Sequence, residues 1–308
     1  MGKSTADPLE YYARPGLMTD PEEHVALFEG LPGEITALCQ VVQGLLLHIF
    51  WAERYGVQLS EGQKQEVQIR SVADKLARIL ELDRRPLIVA RPLDKRMVGN
   101  CRDFAVTLCA ILRHQGVPAR ARCGFGAYFE PGHYEDHWVC EYWKADGDRW
   151  VMVDAQLDDL QCEVLQIKFD PCDVPRDQFL TGGRAWQLCR TGEADPDSFG
   201  IFDMHGLWFV RGDLLRDLAS LNKIELLPWD CWGLIEGEDQ DITADEMALL
   251  DRVAALTLAG NEAFAEMRSV YRSDERLRVP PVIRSYPGSG VEVVDLTGGD
   301  PVLGRFFE

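Results

Sequence analysis

The feature that most constrains the fold is a change of hydrophobic period at Gly116. Before it, apolar residues recur at three- and four-residue spacings, which predicts a helix over residues 101–115. The stripe consists of Cys101, Phe104, Ala105, Leu108, Cys109 and Leu112. Gly116 supplies a helix stop, and Pro118 prevents the helix from continuing. The period then becomes two, which is typical of a strand.

Three strands are predicted after this helix. Residues 119–127 alternate apolar side chains with arginine and glycine, which predicts a half-buried strand. Residues 137–143 and 149–153 are two more predicted strands, and the turn at residues 145–148 between them indicates an antiparallel pair. Because a helical part is followed by consecutive strands, the sequence predicts the α+β class.

The remaining segments place helices on both sides of this core. In chain order they are an irregular lead-in (1–20), a helical N-terminal part (21–95), the core (96–160), a pocket-shaping region (161–235), C-terminal helices (240–275) and an extended tail (276–308). Residues 21–275 are predicted to form one domain. Within it, 35–52 is expected to be one buried helix, 63–82 one amphipathic helix, and 171–206 a loop-rich stretch. The acidic residues 236–241 are expected to be a linker.

Composition and charge narrow the classes of partner. The formal net charge of −19 and a pI near 4.7 argue against nucleic acid, whose phosphates attract Lys and Arg. The same charge disfavours anionic membrane surfaces. The longest apolar run is interrupted by Gln40, Gln43 and His48, and no apolar leader opens the sequence, so no membrane segment is predicted. Nine cysteines without a CxxC pair indicate reduced thiols and a cytoplasmic location.

Cys101 occupies a position where a reactive cysteine is expected. It begins the predicted helix, whose N-terminus carries about half a positive charge that favours thiolate over thiol and stabilises an oxyanion. Asn100 before it is a candidate N-cap. Free cysteines are often only core residues. However, His137 begins one predicted strand and Asp154 ends its neighbour, and an imidazole oriented by a carboxylate is what activates a thiol.

Several elements taken together resemble the transglutaminase-like superfamily, in a bacterial-type form. They are Gly99-Asn100-Cys101-Arg102-Asp103-Phe104-Ala105, Leu112-Arg113-His114-Gln115-Gly116-Val117-Pro118-Ala119-Arg120, Arg122-Cys123-Gly124-Phe125, Asp136-His137-Trp138-Val139 and Trp150-Val151-Met152-Val153-Asp154. The resemblance spans about residues 97–160. It implies a papain-like core with the catalytic helix packed on an antiparallel sheet, additional N- and C-terminal helices, and a triad of Cys101, His137 and Asp154.

The resemblance also implies the chemistry. Cys101 would attack an amide carbonyl, and the resulting thioester would pass its acyl group to an amine or to water, without a metal or other cofactor. The expected partners are a peptide, protein or small-molecule amide and an amine acceptor. Three outcomes stay open: hydrolysis by an amidase or protease, acyl transfer that crosslinks protein or forms an amide in small-molecule biosynthesis, and a non-catalytic binding module that keeps the fold.

Residues beside the triad are candidates for substrate contact. The predicted substrate-binding residues are Asp136, Trp138, Arg102 and Asp103, although an acid in the first helical turn also suits the helix dipole. Possible contributors from the pocket-shaping region are Arg184, Trp186, His205, Trp229 and Trp232. Core packing is the alternative interpretation for the tryptophans.

Three further patterns have less specific interpretations. The basic residues around the cysteine form either an anion-binding patch or, more commonly, a solvated face; they are Arg84, Arg85, Arg91, Lys95, Arg96 and Arg102. His133, His137 and Cys140 are zinc-ligand types, but the preceding Pro131-Gly132 and the following strand disagree with the helical H-E-x-x-H pattern. The glycines at 124 and 126 favour close backbone approach in a strand over a dinucleotide loop.

Overall fold

The structure is a computed structural model that describes residues 7–237, 241–288, 290–298, 304 and 306–307. The helices are α1 (Pro8–Tyr12), α2 (Ile35–Leu45), α3 (Glu61–Lys64), α4 (Val72–Leu82), α5 (Cys101–His114), α6 (Asp159–Val164), α7 (Gly182–Thr191), α8 (Leu207–Leu221), α9 (Ala244–Leu258) and α10 (Phe264–Ser273). The strands are β1 (Leu46–His48), β2 (Met97–Gly99), β3 (Ala119–Gly126), β4 (Tyr134–Lys144), β5 (Arg149–Val153), β6 (Phe179–Thr181), β7 (Phe199–Ile201), β8 (Met204–His205), β9 (Asp230–Cys231), β10 (Val282–Ser285) and β11 (Glu292–Asp295).

With 46% helix and 16% strand, the α+β prediction is confirmed. The chain divides into two compact units, each assembled from separate segments. Unit 1 comprises Met1–Tyr11, Arg122–His137 and Arg176–Glu308, and unit 2 comprises Tyr12–Ala121 and Trp138–Pro175. The segment boundaries proposed above stay a prediction. Across the described residues, every helix is too short or too polar to cross a bilayer.

Unit 2 contains α2, α4 and α5 together with two small strand pairs. The helix α5 packs against both α2 and α4. The strands β1 and β2 are parallel, and β4 pairs with β5 in antiparallel register, with Cys140 opposite Val153. The Sγ atoms of Cys109 on α5 and Cys140 on β4 lie 3.3 Å apart in a fully buried environment. The predicted packing of this helix on an antiparallel strand pair is therefore present within unit 2.

Unit 1 contains a sheet in the order β6-β3-β4-β7-β8. β3 and β6 are antiparallel, with Gly124 opposite Thr181, whereas β4 and β7 are parallel. A Cβ atom at Gly124 would lie 2.1 Å from the carbonyl oxygen of Leu180, so this strand approaches its neighbour too closely for any side chain. The prediction of close backbone approach is thereby confirmed for Gly124, whereas a Cβ atom at Gly126 would meet the side chains of Phe129 and Tyr128. The helices α7, α8 and α9 pack on one another, and β9, β10 and β11 form a second sheet.

Several predicted helices and strands have the expected bounds. α5 begins at Cys101 and is followed by Gly116 at a φ of +75°, which is the predicted left-handed stop. β5 spans Arg149–Val153 and α9 spans Ala244–Leu258, as predicted. β4 starts at Tyr134, three residues before the predicted start at His137.

The two long N-terminal helices predicted at 35–52 and 63–82 are wrong. The first ends at Leu45, because the next three residues pair with β2 and form β1. A short apolar run does not distinguish a buried strand from a buried helix. The second is divided by Ser71, whose Oγ accepts a hydrogen bond from the Asp74 N–H at 3.0 Å and begins α4.

Other departures concern the lead-in, the loop-rich stretch and the tail. α1 lies within the segment predicted to be irregular, and α7 lies within the segment predicted to be loop-rich, where Gly192 ends it at a φ of +75°. The tail is extended at β10 and β11. Residues 238–240 of the predicted acidic linker lie outside the described residues.

The strand predicted at residues 119–127 is present as β3, but the expectation that it is half-buried is wrong, because all eight residues of β3 are buried. In unit 2, the Nε of Arg120 donates to the Oε2 of Glu141 at 2.7 Å. In unit 1, Arg122 donates from Nε and Nη2 to the two carboxylate oxygens of Asp217, each at 2.8 Å. Paired in this way, arginine side chains that the alternation assigned to solvent lie in the interior.

Candidate active site

Cys101 is the first residue of α5 and is 8% exposed. The helix start is fixed by a reciprocal cap, as predicted for Asn100. The side-chain oxygen of Asn100 accepts from the Asp103 N–H at 3.3 Å, and the Asp103 Oδ2 accepts from the Asn100 N–H at 2.9 Å. This capping box holds the thiol at a defined helix N-terminus, where the partial positive charge favours the thiolate form.

A buried charge network lies beneath the first turn of α5. Asp103 Oδ1 is 3.1 Å from the Nζ of Lys75 and 3.0 Å from the Nη1 of Arg102, and all three side chains are at most 1% exposed. Burial lowers the pKa of Lys75 to about 7, although Asp103 opposes the shift. Arg102 and Asp103 are therefore engaged with interior partners, and these contacts support a structural role. Their substrate role stays a prediction.

Asp154 lies directly after β5 in unit 2 and is 1% exposed. Its backbone N–H donates to the Pro171 carbonyl at 2.8 Å, and its Oδ1 accepts from the Gln156 N–H at 3.0 Å. The second contact is a local turn in which the side chain bonds to the backbone two residues ahead. This turn restricts the orientation of the carboxylate.

His137 lies on β4 in unit 1 and is 2% exposed. Its ring centroid is 4.8 Å from that of Phe129 and 5.9 Å from that of Tyr128, both in edge-on geometry. A Cβ atom at Gly126 would lie 2.6 Å from the Phe129 ring, so the glycine leaves the space that this ring fills. The imidazole is thus enclosed by aromatic side chains that limit its rotation.

Asp136, the residue before His137, is half-buried and lies in a cluster with the buried residues Cys123 and Asp213. One ligand-type atom from each of the three lies within 4.8 Å of the others. Burial raises the pKa of Asp136 and raises that of Asp213 well above the usual range, and the carboxyl of Asp136 adds to the shift of Asp213. Burial also raises the pKa of the Cys123 thiol. Asp136 was predicted from the sequence as a contact residue, whereas Cys123 and Asp213 were not predicted as site residues.

The other predicted contact residues divide into core and surface. Trp138 is 1% exposed, and its Nε1 has no hydrogen-bond partner among the described residues. The Nε1 of Trp186 donates to Asp251 at 2.8 Å, and that of Trp232 to the Leu277 carbonyl at 3.0 Å, which confirms core packing for both. His205 is 46% exposed. A substrate role for these residues stays a prediction.

The basic stretch upstream of Cys101 is only partly a solvated face. Arg85 pairs with Asp83 at 2.7 Å near the surface, as the solvated interpretation expects. Arg91, in contrast, is 1% exposed and donates to backbone carbonyls, including that of Arg85 at 2.7 Å. Arg91 therefore stabilises this loop by donating hydrogen bonds to the carbonyl groups of the loop backbone.

Comparison with known proteins identifies the class of the core. The sequence model described as the transglutaminase-like superfamily matches residues 63–155, which include Cys101, His137 and Asp154. This segment is thus a transglutaminase-like core, as its motifs predict, and that core is associated with cysteine-based catalysis in general.

Matches over longer stretches are weak. A solved structure described as a candidate cysteine protease from Cytophaga hutchinsonii is 17% identical, covers 58% of this chain and 47% of its own, and has a TM-score of 0.35. The chain thus spans about half the length of that protein, and a likeness at this level says nothing about activity. No curated protein matches the chain.

Proposed function

We propose that the protein is an enzyme that transfers or hydrolyses the acyl group of an amide through a thioester on Cys101. His137 moves the proton, and Asp154 orients His137. The observation that supports this proposal best is the position of Cys101 at the first residue of a capped helix, inside the segment that matches the superfamily. All three proposed catalytic residues lie within that segment.

The reaction starts with the Cys101 thiolate attacking the amide carbonyl carbon. A C–S bond forms, the carbonyl electron pair moves to oxygen, and the helix N-terminus stabilises this oxyanion. The tetrahedral intermediate collapses as the C–N bond breaks. The proton held by His137 goes to the departing amine, and a thioester remains on Cys101.

The second half-reaction releases the acyl group. An amine or a water molecule attacks the thioester carbonyl, gives its proton to His137, and expels the Cys101 thiolate. An amine acceptor gives a new amide, whereas water gives a carboxylic acid. Which acceptor prevails depends on how well water is excluded from the acyl-enzyme. The proposed donor is a peptide, protein or small-molecule amide.

The first test is alkylation by iodoacetamide across pH, with peptide mapping. Cys172 is a competing thiol, because a hydrogen bond involving Cys39 lowers its pKa to about 7. In this test every variant is therefore made in a Cys172→Ser background. We expect selective labelling of Cys101 below pH 7, and we expect His137→Ala to shift it to higher pH.

His205→Ala is the matched control, since that histidine is exposed and pairs with Asp197. This variant is expected to leave the labelling profile unchanged. The proposal fails if Cys101 reacts no faster than the remaining thiols and His137→Ala has no effect, provided that circular dichroism shows both variants folded. A non-catalytic binding module would then be the better interpretation.

A second test separates hydrolysis from transfer with an activated ester, p-nitrophenyl acetate. Attack by Cys101 releases p-nitrophenolate and leaves an acetyl thioester, which intact-mass spectrometry detects and which Cys101→Ala removes. If a primary amine accelerates deacylation and becomes acetylated, the protein is a transferase. If the amine has no effect, water is the acceptor.

A further inference from the structure

The buried cluster in unit 1 is assembled from three separate elements. Cys123 comes from β3, Asp136 from β4 and Asp213 from α8, and their ligand-type atoms all lie within 4.8 Å of one another. Cys123 is fully buried, Asp213 is 1% exposed, and Asp136 is half-buried. Three groups that ionise to anions have thus been brought together in the interior of one unit, where isolated charge is costly.

Two oxygens in this cluster have no nitrogen or hydroxyl donor among the described residues. They are the buried Oδ1 of Asp136 and Oδ2 of Asp213, and a hydrogen bond between the two carboxyls, or from the Cys123 thiol, exists only while one of these acidic groups holds its proton. Leaving a buried polar atom without a partner is unfavourable, and more so when the atom is charged. Two such atoms beside a thiol are therefore an unusual arrangement that a cation would satisfy.

Arg216 neutralises only part of the cluster. Its Nη1 donates to the Oδ1 of Asp213 at 3.3 Å, and its Nη2 donates to the Asp230 carbonyl at 3.4 Å. A Cβ atom at Gly212 would lie 2.7 Å from this guanidinium, so the glycine lets Arg216 lie against α8. Arg216 thereby donates a hydrogen bond to the Oδ1 of Asp213 and makes none to its Oδ2.

The charges of the cluster match a divalent cation. One thiolate and two carboxylates carry three negative charges when ionised, and Arg216 supplies one positive charge, which leaves two to be neutralised. A sulfur ligand disfavours Mg²⁺ and Ca²⁺, which take oxygen ligands, whereas Zn²⁺ accepts sulfur and carboxylate oxygen together.

We propose that Cys123, Asp136 and Asp213 form a site for one zinc-class divalent cation, which links α8 to β3 and β4. Bonds of about 2.3 Å to sulfur and about 2.1 Å to oxygen place tetrahedral ligands about 3.5 Å apart. The separations of up to 4.8 Å therefore require only a modest contraction of the side chains. Three protein ligands leave the fourth position for water.

The test is metal binding by the full chain after treatment with a chelator. Calorimetric titration with Zn²⁺ is expected to give one site per chain. Titration with Co²⁺ is expected to give the near-ultraviolet charge-transfer absorption of a cobalt–thiolate bond. Both titrations are repeated in Cys101→Ala, which removes the proposed catalytic thiol. Zinc binding and the cobalt–thiolate absorption are expected to persist in this variant.

Ligand variants then identify the residues. Cys123→Ser is expected to abolish the cobalt–thiolate absorption, and Asp213→Asn to weaken zinc binding by at least about tenfold. Cys189→Ser is the matched control, because that cysteine lies on α7 in the same unit and outside the cluster. It is expected to bind as the parent does.

Two results would overturn the proposal. One is the absence of stoichiometric zinc binding by the parent protein at neutral pH, in which case the two carboxyls are a proton-sharing pair. The other is a cobalt–thiolate absorption that survives in Cys123→Ser and disappears in Cys101→Ala. Circular dichroism establishes that each variant is folded, and the titration of the parent protein decides the matter even if a ligand variant does not fold.

Discussion

The buried ion pair between Arg122 and Asp217 yields a quantitative prediction for Arg122→Met. The substitution removes two short charge-assisted hydrogen bonds of 2.8 Å from a carboxylate that is wholly buried. Such bonds are each worth about 1.5–3 kcal/mol, and breaking one side of a buried pair costs about 3–5 kcal/mol. Asp217 keeps one bond, from the Cys123 N–H at 3.2 Å. We therefore expect a loss near 3 kcal/mol.

The matched control is a pair of similar length at the surface. Arg252 and Glu266 lie 2.7 Å apart, and their side chains are 54% and 56% exposed. Because solvent screens such a pair, Arg252→Ala is expected to cost at most about 1 kcal/mol. Urea denaturation, followed by far-ultraviolet circular dichroism, measures the free energy of unfolding of both variants and of the parent protein.

A double variant tests whether the unpaired Asp217 carboxylate causes the loss of stability in Arg122→Met. Arg122→Met combined with Asp217→Leu removes both charges, and we expect it to be more stable than Arg122→Met alone, because no unpaired carboxylate remains. The single variant Asp217→Leu completes the cycle. Two results would refute the prediction: Arg122→Met costs no more than Arg252→Ala, or the double variant loses as much stability as Arg122→Met and Asp217→Leu added together.

Three further predictions use the same denaturation assay. Gly124→Ala is expected to cost about 3 kcal/mol, because its Cβ would lie 2.1 Å from the Leu180 carbonyl oxygen. Gly62→Ala, with open space around it in α3, is expected to gain about 0.5–1 kcal/mol, and equal effects of the two substitutions would contradict the argument. Asn100→Ala is expected to cost about 0.5–2 kcal/mol through loss of the cap, and no loss would show that the cap contributes nothing. Burial lowers the pKa of Lys75 from 10.5 to about 7, so between these pH values the unfolded state holds one proton more than the folded state, and the free energy of unfolding rises with pH. Relative to Lys75→Met, the unsubstituted protein should gain up to about 1.4 kcal/mol per pH unit. Parallel pH profiles of the two proteins would refute the pKa shift.

Local signals predicted α5 and the β4–β5 pair with little error. The start of α5 follows from Asn100, whose side chain caps the helix by accepting a hydrogen bond from the N–H three residues ahead. The end of α5 follows from Gly116. Both signals act within one turn, so neighbouring residues contain all the information. The S-x-x-D pattern at Ser71 is an equally local signal for the start of α4, but the predicted helix ran through it because the apolar period continues across it.

The order of motifs around Cys101, His137 and Asp154 predicted the superfamily, and the match to residues 63–155 agrees with it. The proposed role of these residues rests on that order and on the helix position of the cysteine. The surroundings of each residue were not predictable. Phe129 beside His137 is an example, because its ring is brought there by a loop after β3 rather than by the motif.

The sequence by itself determined the α+β class, the start of the helix that presents Cys101, and the strand that leads to Asp154, because period, caps and turns act over a few residues. The tertiary structure alone decided which polar side chains meet in the interior. Arg122 and Asp217 are 95 positions apart in the chain, and Asp213 joins Cys123 and Asp136 across a similar separation. Distance and desolvation set the energy of such contacts, and both depend on folding of the whole unit.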